Sequence, residues 1–491
     1  MLTETIDQQA APAPERPPRE VRRYARGALA GAVTGALVAT LRILGHLDGQ
    51  VALALVAGLS LLAPTSSILS RRLLIVSALV LGWIPLVWWL PLDLGRLDRT
   101  GLLLAASSAA LVGWTCAAPR MSQRARRLIP QVALMDLAPV LAAALTAWLT
   151  WPFLSAASGD RTLNILIKSG WDHAAHFGMT HVIRAEGAIT PYLGPAPDGQ
   201  QWVGSNYPQH FHASLAALTE LTHGSTLRQP VVEVLFYGQA LALVAVLIAL
   251  ALTAGVAQLP GLRQRPAWGF PVAALLLAVF VFGPGAVAFS TGWPNFVLAV
   301  AVAAMAALLG SSTRTFSLCR LAALGGLIIA ATHGWAVMGP FAVTGAAIAL
   351  TSSRLRVLRP PTKARSAGLV GLVLAVTVAC LMVLPVLATS GAAGAVSLGG
   401  AAEYSMGFLV TSLGAALAVS LAPLQYRIGR WRAADALAVA ATPLLALVLL
   451  VGLATYQLND NGQLSYYFGK LAVATTMLGV ATVAIALDRA S

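Results

Sequence analysis

Long apolar runs separated by short basic stretches repeat along almost the whole chain. At 1.5 Å per residue a helix needs about 20 residues to cross some 30 Å of hydrocarbon. Fourteen runs are expected to do so, at 27–45, 51–69, 72–91, 101–118, 130–151, 231–257, 269–288, 293–310, 320–335, 337–351, 366–389, 405–424, 433–456 and 466–486. Prolines such as Pro85 and Pro443 inside these runs would break soluble helices but are common in membrane ones. The predicted fold is therefore all-α, a polytopic transmembrane bundle of about 14 spans.

The polar remainder divides the chain. Residues 1–26, rich in Pro, Ala, Glu and Arg without an apolar run, read as a disordered cytoplasmic tail, and no cleavable signal peptide is expected. Residues 27–151 hold the N-terminal transmembrane helices, 152–230 form a long loop, and 231–491 hold the C-terminal transmembrane helices. A loop of that length in a membrane bundle is expected to be functional, because most connections are far shorter.

Composition sharpens the class. Of 491 residues 58% are hydrophobic and 10% charged, well below the charge content of soluble domains, which excludes an ordinary soluble enzyme. The net charge of +14 is a topology signal: with the N-terminus inside, 24 of the 32 basic residues fall in inner segments and seven in outer ones, with Arg42 inside the first span. That bias predicts both termini in the cytoplasm and the 152–230 loop outside. It also resolves residues 321–351, whose two flanks are basic, as a tight helical hairpin turning at His333, Gly334 and Trp335. Arg42 and Asp136 are read as snorkelling from span ends, with no function assigned.

The outer loop carries the candidate chemistry. It holds Gly170-Trp171-Asp172-His173-Ala-Ala-His176-Phe-Gly-Met-Thr180-His181, and later Asn206-Tyr207-Pro208-Gln209-His210-Phe211-His212, which together contain five of the eight histidines. A helix over 172–187 would set Asp172, His176 and Thr180 on one face, with His173 bordering it and His181 pointing away. A second helix is expected to begin after Pro208 and run through His212 toward Leu221. Both are read as short interfacial helices.

An Asp-x-x-x-His-Phe helix start, a following Tyr-Pro-x-x-x-His segment, a polytopic helical body and the Tyr466-Tyr467-Phe468-Gly469-Lys470 entry to the last span resemble the GT-C superfamily of membrane glycosyltransferases. More narrowly they resemble actinobacterial members related to cell-wall arabinosyl- and mannosyltransferases. The resemblance implies a polyprenyl-phosphate sugar donor and an envelope glycan or lipid acceptor, used at the extracytoplasmic face of the plasma membrane. By it Asp172 is the base that deprotonates the acceptor hydroxyl, with inversion at the anomeric carbon. His173, His176, Lys168, His333 and Lys470 are the cationic candidates for the departing phosphate. Trp171, Tyr207, His210, His212, Trp335 and Tyr467 complete the expected binding set. The loop follows the fifth span rather than the first, as the superfamily generally has it, so four helices are extra. No Asp-x-Asp or Glu-x-Asp pair occurs, so a divalent metal cofactor is left open.

Plain structural readings stand beside these. Ser169-x-x-Asp172 fits a capping box, Asn206 an ordinary N-cap, and Lys470 a snorkelling helix end. Most tryptophans on the outer side fit an interfacial belt, with Trp171 and Trp335 the best exceptions for sugar stacking. Two other functions are alternatives: a His-rich metal-binding membrane protein using His173-x-x-His176 and His210-x-His212, and a transporter or flippase for a lipid-linked saccharide. No nucleic-acid partner is implied by inner loops this short, no phosphate-binding glycine loop occurs, and no cysteine lies in the outer loop.

Overall fold

The computed structural model describes residues 19–92, 94–155, 159–168, 171–202, 204–352, 356–389, 402–426 and 433–490. Among them the regular structure is helical, and extended pairing is confined to one bridge between Ile68 and Gln131. Every predicted apolar run coincides with a helix. Among the described residues nine are long and apolar enough to cross a membrane: Glu20–Ile43, Leu69–Trp88, Pro230–Ala257, Pro266–Ser290, Pro294–Ser312, Lys363–Thr389, Met406–Leu424, Ala433–Asp460 and Tyr466–Ala490. The other five runs lie on shorter or less apolar helices, Gly49–Leu62, Arg99–Cys116, Leu137–Leu149, Leu318–Gly334 and Met338–Ser352.

The pattern of burial is that of a helical membrane protein. Pro294–Ser312 is apolar on every side and all of its residues are buried, so it is the axis of the bundle. Leu318–Gly334, Met338–Ser352, Pro230–Ala257 and Tyr466–Ala490 pack around it. The outer helices instead present Leu29, Val33, Leu37, Val370, Leu374, Val378, Phe408 and Val410 outward. An exterior this apolar would be an aggregation surface in water and needs lipid against it.

Small residues let the helices approach. Gly82 of Leu69–Trp83 meets the backbone of Gly326 in Leu318–Gly334, and Trp83 Nε1 donates to the Ala322 carbonyl across the same crossing at 2.8 Å. Gly27, Gly31 and Gly35, one per turn of Arg19–Ile43, lie against Ala105, Ala109 and Gly113 of Arg99–Cys116, the small-residue seam typical of membrane helix pairs.

The structure corrects several expectations. The first helix begins at Arg19, so Arg22, Arg23 and Arg26 are helical rather than part of a disordered tail, and residues 1–18 of that tail lie outside the described residues. Arg42 does not snorkel. It is buried and binds Asp98 at 2.6 Å, Asp48, Thr100 Oγ1, and the carbonyls of Leu47, Glu220 and Leu221. Asp136 is equally committed, paired through both oxygens with Arg263 at 2.7 Å and accepting from the Ser70 and Ala133 amides. A buried charge is stable only with such a full set of partners.

Residues 152–230 contain the helices Gly159–Lys168, Trp171–Glu186 and His210–His223 and a short turn of helix at Thr190–Tyr192. This region is not a uniformly exposed pair of short helices. His210–His223 has nearly every residue to Leu221 buried, because Phe211, Leu215 and Leu221 join the hydrophobic clusters of the bundle. The hairpin over 321–351 breaks between Gly334 and Met338, at the turn expected from the basic flanks.

Candidate active site

Asp172 lies in the first turn of Trp171–Glu186, where a carboxylate is favoured by the helix dipole. The cap residues Ser169 and Gly170 lie outside the described residues, and so does the Trp171 side chain. Asp172 Oδ2 accepts from Trp293 Nε1 at 3.1 Å and from the Tyr466 hydroxyl at 3.2 Å. Trp293 precedes the axial helix Pro294–Ser312, and Tyr466 opens Tyr466–Ala490. Three segments far apart in sequence thus meet at one carboxylate. Gly292, at φ +99°, makes the approach possible: a Cβ there would stand 2.6 Å from Asp172 Cβ.

Lys470, one turn after Tyr466, folds back over this group. Its Nζ stands 4.1 Å from the Tyr466 ring centroid and 4.8 Å from that of Trp293, a cation held on two aromatic faces. Asp172 acts electrostatically on Lys470, and no ion pair between the two occurs. The ammonium is therefore near the carboxylate yet directed elsewhere.

Behind Asp172 lies a histidine and tyrosine layer. His176 Nδ1 and His212 Nε2 are 2.7 Å apart, joining the two loop helices, and both rings are buried against Tyr207 and Phe211. Burial pulls the His176 imidazole down to about 3, with repulsion from His173 and Lys470 adding to it and the Gly292 carbonyl opposing. Burial and then His176 hold His212 well below the usual histidine range. Both are neutral at pH 7, so one N–H bridges the pair.

His173 has a fixed tautomer. Its Nε2–H donates to the Phe289 carbonyl at 2.9 Å and its Nδ1 accepts from the Tyr237 hydroxyl at 3.0 Å. Burial lowers its pKa, the Phe289 carbonyl and Asp172 acting the other way. The Phe289 carbonyl is free to accept because it lies in the last turn of Pro284–Ser290, where carbonyls have no intrahelical partner. Asn295 Nδ2 donates to the Tyr207 hydroxyl at 2.6 Å, and burial, Tyr467 and Asp172 raise the Tyr207 phenol against that bond.

Beside Trp293 opens a cleft of about 350 Å³ lined by Gly283, Pro284, Val287, Phe408, Tyr404 and Val473, with Glu403 at its polar edge. Its walls are Pro284–Ser290, Met406–Tyr426 and Tyr466–Ala490.

The predicted residues thus separate. Asp172, His173, His176, Tyr207, His212, Tyr467 and Lys470 gather in this region, with Tyr467 5.5 Å from the Tyr466 ring. His210 and His333 belong elsewhere. His210 donates from Nε2 to the Leu81 carbonyl at 2.7 Å, and burial pulls its pKa down to about 4. His333 donates to the Ala379 carbonyl at 2.7 Å and packs on Trp89. Trp335 packs edge-on against Phe296, and Lys168 is exposed at the end of Gly159–Lys168. The four motif histidines consequently do not converge, and among the described residues no group of three or more His, Cys, Asp or Glu side chains is placed to hold a metal ion.

Sequence reasoning missed Trp293 as a ligand of Asp172, and Tyr237 and Asn295 altogether. The run Gly292-Trp293-Pro294-Asn295, a turn residue, an indole and an amide at the entry to an otherwise apolar helix, is the signal that could have found two of them. Tyr237 is one tyrosine in a long apolar run and carried no such signal.

Compared with known proteins, the chain matches no family model, no curated protein and no solved structure.

Proposed function

We propose that this protein is an inverting membrane glycosyltransferase, using a polyprenyl-phosphate sugar donor and an envelope glycan or lipid acceptor at the outer face of the plasma membrane. The observation that carries the reading is one constellation: the Asp172 carboxylate oriented by Trp293 and Tyr466, the Lys470 ammonium over the same two rings, and an apolar cleft beside them. The basic bias of the segments between spans supports the outer placement, with the five lesser apolar helices joining the nine long ones to make fourteen crossings.

Both donors fall on Oδ2, so Oδ1 is the oxygen available to an acceptor hydroxyl. As Oδ1 takes the hydroxyl proton, the acceptor oxygen bonds to the anomeric carbon and the bond from that carbon to the phosphate oxygen breaks. The electron pair leaves with the lipid phosphate, whose charge Lys470 offsets. The cleft offers apolar walls to the isoprenoid chain, and the neutral His176–His212 bridge holds the two loop helices in register.

The test is Asp172→Asn, expressed in membranes at the unaltered level and assayed for sugar transfer from a polyprenyl-phosphate donor. Loss of a general base costs about 10²–10⁴-fold in rate. Transfer at the unaltered rate would remove Asp172 from the mechanism.

A further inference from the structure

The opposite end of the bundle holds a second unassigned group. Tyr466–Ala490 has 25 residues, so Arg489 lies roughly 35 Å along the helix axis from Tyr466. Around that end five arginines come from five segments: Arg71 from the first turn of Leu69–Trp83, Arg263 from Pro260–Gln264, Arg314 from the connection after Pro294–Ser312, Arg320 from Leu318–Gly334, and Arg489. The Arg71 guanidinium feels those of Arg320, Arg263 and Arg314, and Arg489 feels Arg314.

Two members have carboxylate partners. Arg263 is paired with Asp136 and also donates to Ser70 Oγ at 3.2 Å, while Arg489 meets Asp435 at 3.5 Å. Asp488 accepts from the Gly261 and Leu262 amides at 2.6 and 3.2 Å and so fastens Pro260–Gln264 in place, with Arg314 and Arg489 near it. Arg71 and Arg320 differ. Arg71 donates from Nε to Gln258 Oε1 at 3.0 Å, and Gln258 is itself fixed by donating to the Leu308 carbonyl at 2.9 Å. Arg320 Nε is buried without a hydrogen-bond partner, and no described carboxylate pairs with either residue.

A fixed, half-buried guanidinium beside another with an unanswered buried donor is costly unless an anion fills the gap. Arginine suits one anion above others, since its planar fork matches phosphate oxygens. From this convergence we infer that Arg71, Arg320 and Arg314 form a phosphate-binding site at the basic end of the bundle, for a phosphomonoester headgroup or free phosphate. The exposed Arg314 admits the ligand, and Arg71 and Arg320 hold it against the Gln258 corner. This site is independent of the sugar-transfer reading, because it lies at the other end of the helices.

The test uses the full chain in a neutral detergent, with thermal unfolding followed against dihexanoyl phosphatidic acid and, separately, inorganic phosphate. Ligand that binds the folded protein raises Tm saturably. A rise with both probes identifies phosphate itself as sufficient, and a rise with the lipid alone identifies a headgroup held with its chains. Arg320→Gln and Arg314→Gln are each expected to weaken the effect at least tenfold, as is Arg71→Gln if it folds, while Arg120→Gln outside the cluster leaves it unchanged. No saturable rise with either probe, or equal weakening by Arg120→Gln, would overturn the inference by showing either no site or only diffuse charge.

Discussion

Gly292→Ala probes the junction on which the candidate site depends. Gly292 adopts φ +99°, a backbone conformation costing about 1–3 kcal/mol for other residues. The new methyl would also stand 2.6 Å from Asp172 Cβ and 3.3 Å from the His173 amide nitrogen. Overfilling a packed contact of this kind costs about 1–3 kcal/mol, so the two terms together come to about 2–6 kcal/mol before relaxation. The cheapest relaxation draws the first turn of Trp171–Glu186 away from Trp293 and Tyr466. A displacement near 1 Å costs about 100-fold in turnover when positioning matters. Gly178→Ala is the matched control: it lies on the same helix, its Cβ would meet nothing within 4 Å, and alanine adds about 1 kcal/mol of helix stability. Scanning fluorimetry in detergent should therefore show Gly292→Ala melting below the parent and Gly178→Ala at or above it. Sugar-transfer assays should show loss only in the first. If both variants melt and turn over like the parent, the close approach of Gly292 to Asp172 is wrong.

Three further outcomes are expected. His173, His176, His210 and His212 have folded-state pKa values below the unfolded value of 6.5, so the stability they confer is present above pH 6.5 and lost as pH falls below it, toward about 3 for His176 and about 4 for His210. Each contributes a slope of up to about 1.4 kcal/mol per pH unit in that window, and His210→Gln should flatten the measured Tm profile between pH 6.5 and 4.5. Arg263→Met leaves Asp136 buried and unpaired and should cost about 3–5 kcal/mol, read as a lower Tm, with Arg263→Met/Asp136→Leu recovering most of it. Tyr466→Phe removes one donor from Asp172 Oδ2 while keeping the ring under Lys470, so turnover should fall about tenfold with Tm nearly unchanged; an equal fall in Tm would make the hydroxyl structural.

Much of the helical layout was legible because a run of apolar residues has few other destinations. The turn at Gly334 to Met338 was readable from charge, since basic residues flank both ends of a segment too short for two comfortable spans. The loop motifs singled out Asp172, His176 and His212 as separate candidates, and helical spacing put Asp172 and His176 on one face. Spacing carries no information about what faces that surface from elsewhere. Whether His210 turns to Leu81 or toward His176 is decided by a neighbouring helix, and the Phe289 carbonyl that claims His173 comes from the end of a helix more than a hundred residues away. Arg42 and Asp136 were misread for the same reason: their partners lie up to 179 and 127 residues away.

The reach of Arg42 also sets an order of assembly. Its guanidinium finds Asp48 six residues on and Asp98 fifty-six residues on, but the Glu220 and Leu221 carbonyls follow only 178 and 179 residues later. At synthesis rates of about 5–20 residues per second, roughly 10–35 seconds pass between the charge and its last acceptors. During that interval the nearby aspartates neutralise the arginine while its geometry is incomplete. The early helices and the histidine-bearing loop are in this sense a single late-closing unit, and a ribosome pause or truncation before residue 221 would release the first without its lock.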